Sequence, residues 1–159
     1  MRGAAPTVAA FELLERPIDA AALKRALTAP AAGAAVCFEG WVRDHHGGES
    51  VVALEYEAHA GIANAEGEAI LAEARERFAV IAIRAQHRVG RLEIGECAVW
   101  VGVGAAHRGA AFEACRYVID ELKARLPIWK KEHYADGPSG WVNCATRPAR
   151  ATRAGTAES

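Results

Sequence analysis

Apolar residues recur along two stretches of the chain at the spacing of an amphipathic helix. The stretches Asn64–Phe78 and Arg108–Leu126 place them every three or four positions, which predicts two helices that each bury one face. In the second helix the predicted buried stripe is Phe112, Cys115, Ile119, Leu122 and Leu126. Pro127 ends that helix, because the residue before a proline avoids helical geometry. A shorter helix is predicted over Asp19–Leu27.

The other apolar segments alternate with polar residues, as strands do. Strands are predicted over Val8–Leu14, Ala34–Arg43, Val51–Ala58, Val80–Val89, Glu96–Gly104, Ile128–Tyr134 and Trp141–Asn143. We expect a hairpin across the polar loop Asp44–Ser50 and a second one across the turn Gly90–Gly95. Strands that follow one another without a helix favour antiparallel pairing, so an α+β class is predicted. We expect one domain over residues 1–145 and a disordered tail over 146–159.

The composition excludes several classes of protein. The 159 residues are 52% hydrophobic and 25% charged with a net charge of −1, so no global field attracts nucleic acid or a membrane. No signal peptide or membrane-spanning apolar run is evident. Cys37, Cys97, Cys115 and Cys144 form no C-x-x-C pair, so we expect buried free thiols and a cytoplasmic location. Any anion site must be a local cluster of basic residues.

Trp41 and Arg43 are the first candidates for such a cluster. Alternation places both on the same face of the predicted strand that ends in Gly40-Trp41-Val42-Arg43. An aromatic plate beside a guanidinium fork suits a flat anionic ligand. The alternative is a rim arginine beside a half-buried tryptophan.

His107 and Arg108 stand where a glycine-containing strand, Val101–Ala105, enters a helix. The free N–H groups and the dipole of a helix N-terminus suit a phosphate. The alternative is a glycine turn chosen for its backbone geometry, with His107 as a helix cap. A dinucleotide site is excluded because the third glycine of G-x-G-x-x-G is missing.

Lys123 and Lys130 flank Pro127, whose turn is expected to bring their ammonium groups together. Lys131 points to the opposite face of the same strand, so only one of the two adjacent lysines need face a pocket. The alternatives are a lysine that stabilises a helix C-terminus and lysines that protect a strand edge. His45 and His46 lack the spacing of metal ligands, so we expect no metal site.

Five segments of the chain carry motifs in a definite order. They are F-x-G-W-V-R at Phe38–Arg43, L-E-Y-E at Leu54–Glu57, H-R-V-G-x-L-x-x-G-E at His87–Glu96, V-x-V-x-A-A-H-R-x-x-A-F-E-A at Val101–Ala114 and L-K-x-R-x-P-I-W-K-K-E at Leu122–Glu132, followed by G-W-V at Gly140–Val142. Over residues 8–145 the chain resembles the MoaE family, the large catalytic subunits of molybdopterin synthase.

The resemblance implies an α/β hammerhead-type fold, with an antiparallel sheet packed by helices, and a homodimer. Each protomer would bind one small MoaD-like sulfur carrier, giving a heterotetramer. The carrier's C-terminal thiocarboxylate would supply sulfur to cyclic pyranopterin monophosphate, a pterin phosphate, and form the dithiolene of molybdopterin without a further cofactor. The family's catalytic lysines match Lys123 and Lys130. Its substrate contacts match Trp41, Val42, Arg43, His107, Arg108, Lys123, Lys130, Lys131 and Glu132.

One distance leads to a further prediction. Arg108 and Lys123 are 15 residues apart on one predicted helix, a separation of about 22 Å at a helical rise of about 1.5 Å per residue. One pterin cannot touch both within a chain, so we expect each pocket to combine His107 and Arg108 of one protomer with Lys123 and Lys130 of the other. The alternative function is a non-catalytic adaptor that binds the small subunit without the chemistry.

Overall fold

The computed structural model describes residues 9–143. The elements in chain order are β1 (Ala9–Leu14), α1 (Ala20–Arg25), β2 (Ala34–Trp41), β3 (His45–His46), β4 (Glu49–Ala58), α2 (Ala60–Arg77), β5 (Ala82–Arg88), β6 (Gly90–Glu93), β7 (Cys97–Ala105), α3 (Arg108–Arg125), β8 (Ile128–Tyr134) and β9 (Gly140–Asn143). The three predicted helices and seven predicted strands are present, and β3 and β6 are additional. The predicted tail over residues 146–159 lies outside the described residues.

The strands form two sheets. The first has the order β1-β5-β7-β2, in which β1 pairs with β5 in parallel and the other pairs are antiparallel. The second has the order β3-β4-β8-β9, with β6 also paired to β4, and all its pairs are antiparallel. The α+β class is therefore confirmed, with one parallel strand pair inside a mostly antiparallel arrangement.

The predicted hairpin between strands 34–43 and 51–58 is wrong. β2 pairs with β7 in the first sheet, whereas β4 lies in the second sheet beside β8. The polar loop contains its own small hairpin, because Gly47 and Gly48 adopt positive φ angles of 59° and 83° and turn the chain in two residues. β5 and β7 do pair as predicted, but the segment between them forms β6 against β4.

Helices α2 and α3 pack beside each other and contribute to one large apolar core. The predicted stripe of α3 is buried at Cys115, Ile119, Leu122 and Leu126, but Phe112 is 62% exposed. The buried face is completed instead by small residues close to β2 and β7, among them Ala111 and Ala114. None of the described helices is both long and apolar enough to cross a membrane.

A cluster of charges joins α2 to α3. The guanidinium of Arg125 donates to both carboxylate oxygens of Glu73, at 2.6 and 3.0 Å, and to Glu66 at 2.6 Å. The hydrogen bond from Arg125, followed by one from Tyr117, lowers the pKa of Glu73 to about 2. Two carboxylates of α2 therefore link the two long helices through one guanidinium of α3.

Gly102 occupies a crowded position in β7. A Cβ atom there would lie 2.1 Å from the ring of the buried Trp100 and 2.8 Å from Leu27. Gly102 does not adopt a positive φ angle, so the residue is glycine because of packing and not because of a turn. The Trp100 ring and Leu27 fill the space that a side chain at this position would need.

We predict that Gly102→Ala lowers the free energy of unfolding by about 1–3 kcal/mol, the usual cost of overpacking a core. Gly61→Ala is the matched control, because a Cβ at Gly61 in α2 meets nothing within 4 Å. Urea denaturation of both variants measures the effect. Equal stability of the two variants would contradict this account of Gly102.

Candidate active site

A cavity of about 190 Å³ lies where the second sheet meets the end of β2 and the C-terminal part of α3. Its lining carries two lysines, one arginine and a single carboxylate; the lining residues are Trp41, Arg43, His45, His46, Val51, Leu54, Tyr56, Lys123, Lys130 and Glu132. A wider groove of about 640 Å³ has only the carboxylates of Glu15, Glu55 and Glu57 as its charged side chains. The groove would repel an anion, so the smaller cavity is the candidate site.

Trp41 and Arg43 reach the cavity from the end of β2. The register of β2 on β7 shifts between Gly40 and Trp41, which marks a bulge that redirects the following side chains. Val42 is buried between them, and its backbone N–H and C=O bond to Glu96 and Gly95. Trp41 remains 65% exposed. The aromatic plate and the guanidinium predicted to act together do line one cavity.

Lys123 and Lys130 reach the same cavity from opposite sides of Pro127. α3 ends at Arg125, and the N–H of Ile128 bonds to the carbonyl of Leu126 as β8 begins. Lys130 lies opposite Tyr56 of β4, on the inner face of the second sheet. The sequence prediction that the proline turn brings these lysines together is consistent with this arrangement.

Glu132 is the only carboxylate in the cavity lining, and it is 4% exposed. Its Oε1 atom lies 3.1 Å from the Lys130 ammonium and 2.6 Å from Nδ1 of His46, and its Oε2 atom accepts from the Tyr134 hydroxyl. Burial alone would raise the pKa of Glu132, but hydrogen bonds from Tyr134, Lys130 and His46 lower it below the usual value. The carboxylate is therefore ionised, with three partners.

Tyr56 lines the cavity, and the His87 ring packs against the Tyr56 ring. Their rings meet edge to face with centroids 5.1 Å apart, and His87 is buried. His87 Nδ1 lies 2.8 Å from the carbonyl of Arg88, so this nitrogen carries the hydrogen. Burial, and then the charge of Lys123, lower the pKa of His87 to about 4. His87 is therefore uncharged at neutral pH and adds no cation behind the lysines.

Four of the predicted contact residues do not line this cavity, and one of them is Val42, which is buried. His107 and Arg108 are exposed at the start of α3, so Arg108 and Lys123 are at opposite ends of one helix, as predicted. His107 occupies the cap position but makes no side-chain capping bond. Lys131 points to the outer face of the second sheet, where its ammonium lies 5.5 Å from the Trp141 ring centre. Alternation predicted this separation of Lys130 from Lys131.

Sequence reasoning missed His46 and Tyr134. His46 was considered only as a metal ligand, although the Gly47-Gly48 pair after it is a hairpin signal that would have placed it beside a strand. Tyr134 is two residues beyond Glu132, so alternation puts both on one face of β8. Within residues 9–143, no group of three or more His, Cys, Asp or Glu side chains is arranged to hold a metal.

Comparison with known proteins places the chain in a family. The family model described as MoaE protein matches residues 13–125. The chain is 50% identical over 107 residues to the molybdopterin synthase catalytic subunit of Oryza sativa subsp. indica, an alignment that covers 67% of this chain and 55% of that relative. It therefore spans little more than half the length of this plant relative.

Two further matches cover nearly the whole of the related protein. The molybdopterin synthase catalytic subunit of Mesorhizobium japonicum is 43% identical over 152 residues, covering 94% of this chain and 92% of the relative. The crystal structure of molybdopterin synthase from Staphylococcus aureus is similar with a TM-score of 0.78 and 35% identity, covering 84% of this chain and 96% of that one.

We predict that Glu132→Ala lowers the free energy of unfolding by about 1–3 kcal/mol, because three donors lose their common acceptor. Glu57→Ala is the control: this carboxylate is exposed on the neighbouring strand β4, and its loss should change stability by less than about 0.5 kcal/mol. Urea denaturation measures both. A Glu132 variant as stable as the Glu57 variant would show that the three contacts do not stabilise the fold.

Proposed function

We propose, from the premise that this chain belongs to the MoaE protein family, that it is the catalytic subunit of a molybdopterin synthase. It transfers sulfur from the thiocarboxylated C-terminus of a MoaD-like subunit to cyclic pyranopterin monophosphate and so forms the dithiolene of molybdopterin. The observation that carries this proposal is the convergence of Arg43, Lys123 and Lys130 on one cavity in a chain with a net charge of −1.

Each cation in the cavity has a task that suits its chemistry. The guanidinium of Arg43 binds the phosphate as a planar fork, and the exposed Trp41 ring offers a flat surface to the pterin. After the thiocarboxylate sulfur has bonded to the pterin, water attacks the acyl carbon, the C–S bond breaks and the small subunit leaves as a carboxylate. Lys123 and Lys130 move the protons and stabilise the oxyanion of that step. Both lysines line the cavity, and Glu132 is the one carboxylate in its lining.

The sulfur comes from the partner and not from Cys37, Cys97 or Cys115, the cysteines in the part of the chain that the structure describes. Burial is the main cause that raises the pKa of both Cys97 and Cys115 to about 11, and it also raises the pKa of Cys37. These thiols stay protonated at neutral pH, whereas a nucleophilic cysteine reacts as a thiolate. All three are free thiols, but only Cys115 is buried; Cys97 is partly exposed and Cys37 is exposed, so the expectation of buried thiols was wrong for these two. Free thiols support a reducing, cytoplasmic location.

The pocket is completed by a second protomer. The cavity of about 190 Å³ is smaller than the roughly 300–1,000 Å³ of typical ligand sites, so one chain supplies only part of the wall. His107 and Arg108 of the partner protomer supply the rest in this proposal. Phe112, one turn further along α3 and 62% exposed, lies at the end of the helix that this homodimer buries. One small subunit per protomer gives a heterotetramer.

We predict that Lys123→Ala lowers kcat for dithiolene formation by about 10²- to 10⁴-fold, the usual contribution of a proton-transferring group. Binding of the small subunit should stay unchanged in calorimetric titration. Lys24→Ala, which removes an exposed lysine from α1, is the control and should retain turnover. Undiminished turnover by the Lys123 variant would point to a different catalytic group, whereas absence of turnover in the unsubstituted protein would favour the adaptor.

We predict that two inactive variants, Lys123→Ala and Arg108→Ala, restore activity when their protomers are mixed. In a shared pocket, each mixed dimer holds one intact site, so random exchange should recover about a quarter of the normal activity. Turnover is measured after the two chains are co-refolded, with each variant refolded alone as the control. If His107, Arg108, Lys123 and Lys130 acted within one chain, mixing the two variants would recover no activity.

A further inference from the structure

His46 and Lys130 both contact the carboxylate of Glu132. The Nδ1 atom of His46 lies 2.6 Å from Oε1 of Glu132, and the Lys130 ammonium lies 3.1 Å from that same oxygen atom. The remaining oxygen, Oε2, accepts from Tyr134. With donors on both oxygens, the Glu132 carboxylate is restrained against rotation, and the shorter contact to Oε1 comes from the histidine.

The hairpin formed by β3 and β4 places His46 beside Glu132. The two-residue turn at Gly47 and Gly48 folds β3 onto β4, where His46 lies opposite Glu49. β4 is paired with β8, which carries Glu132. The neighbouring His45 makes a different contact, with Asp44 at 2.8 Å. The two adjacent histidines therefore differ, and only His46 connects the hairpin to the buried carboxylate.

The surroundings explain why this contact matters to Lys130. Glu132 is the only carboxylate lining the cavity, and the basic side chains of Arg43 and Lys123 line it together with Lys130. A lysine ammonium on a flexible four-carbon chain has no preferred direction of its own. The Lys130 ammonium is held by Oε1 of Glu132, and the position of Oε1 depends on the hydrogen bonds that His46 and Tyr134 make to the same carboxylate.

We propose that His46 is a positioning residue for sulfur transfer: by anchoring Glu132, it keeps the Lys130 ammonium at the place where the reaction needs it. This inference rests on the function proposed above. Reacting groups must be held close to the productive geometry by neighbours whose own positions are fixed. Loss of the anchor should therefore slow the chemical step and leave the affinity for the pterin phosphate nearly unchanged.

The test uses two substitutions that differ in one donor. His46→Leu removes the N–H, whereas His46→Asn keeps an N–H close to the position of Nδ1. In the complex with the thiocarboxylated small subunit, His46→Leu should lower kcat by about tenfold or more, with KM within about twofold, and His46→Asn should recover most of kcat. His59→Asn is the control, because His59 caps α2 with a side-chain acceptor that asparagine retains.

A second measurement does not depend on turnover. Carbon-detected NMR titration of Glu132 should give a higher pKa in His46→Leu than in the unsubstituted protein, because the ionised carboxylate loses a donor. His46→Asn should restore the lower pKa. An unchanged Glu132 pKa, or equal kcat in all three proteins, would overturn the inference. Absence of turnover in the unsubstituted protein would overturn the proposed function, while the titration would still decide the His46–Glu132 contact.

Discussion

A buried carboxylate must be compensated by charge and hydrogen bonds, and the candidate site is built around that constraint at Glu132. An isolated ionised group in a protein interior is costly, so Glu132 remains charged only with close donors. Lys130 supplies an ammonium on the same strand, Tyr134 a hydroxyl two residues further, and His46 a ring nitrogen from a separate hairpin. The same carboxylate holds the Lys130 ammonium at the cavity wall. Glu132 therefore contributes both to the stability of the fold and to the position of a proposed catalytic lysine.

The two sheets place the remaining cations around this centre. β2 belongs to the first sheet and ends in a bulge that turns Trp41 and Arg43 to the cavity, while the last turn of α3 carries Lys123. The buried, uncharged His87 fills the space behind Tyr56. The result is a concentrated positive site on a nearly neutral chain, which is the arrangement expected for an anionic substrate.

Local patterns predicted much of this from the sequence. Helical periodicity and Pro127 gave the bounds of α3 and the relation between Lys123 and Lys130, and alternation separated Lys130 from Lys131. Contacts between distant residues were out of reach: His46 and Glu132 are 86 positions apart, and no periodicity connects them. The pairing of β2 with β7 depends equally on long-range packing. One interpretation of the glycines in Val101–Ala105 was a turn chosen for its backbone geometry. Gly102 is instead crowded by Trp100, and this crowding is visible only in three dimensions.

The most direct test of the central claim is to incubate the unsubstituted protein with a thiocarboxylated MoaD-like subunit and cyclic pyranopterin monophosphate and to measure the mass of the pterin product. The account predicts a product that has gained two sulfur atoms, with the small subunit returned as its ordinary carboxylate. A pterin phosphate recovered without sulfur, although the small subunit is bound, would contradict it.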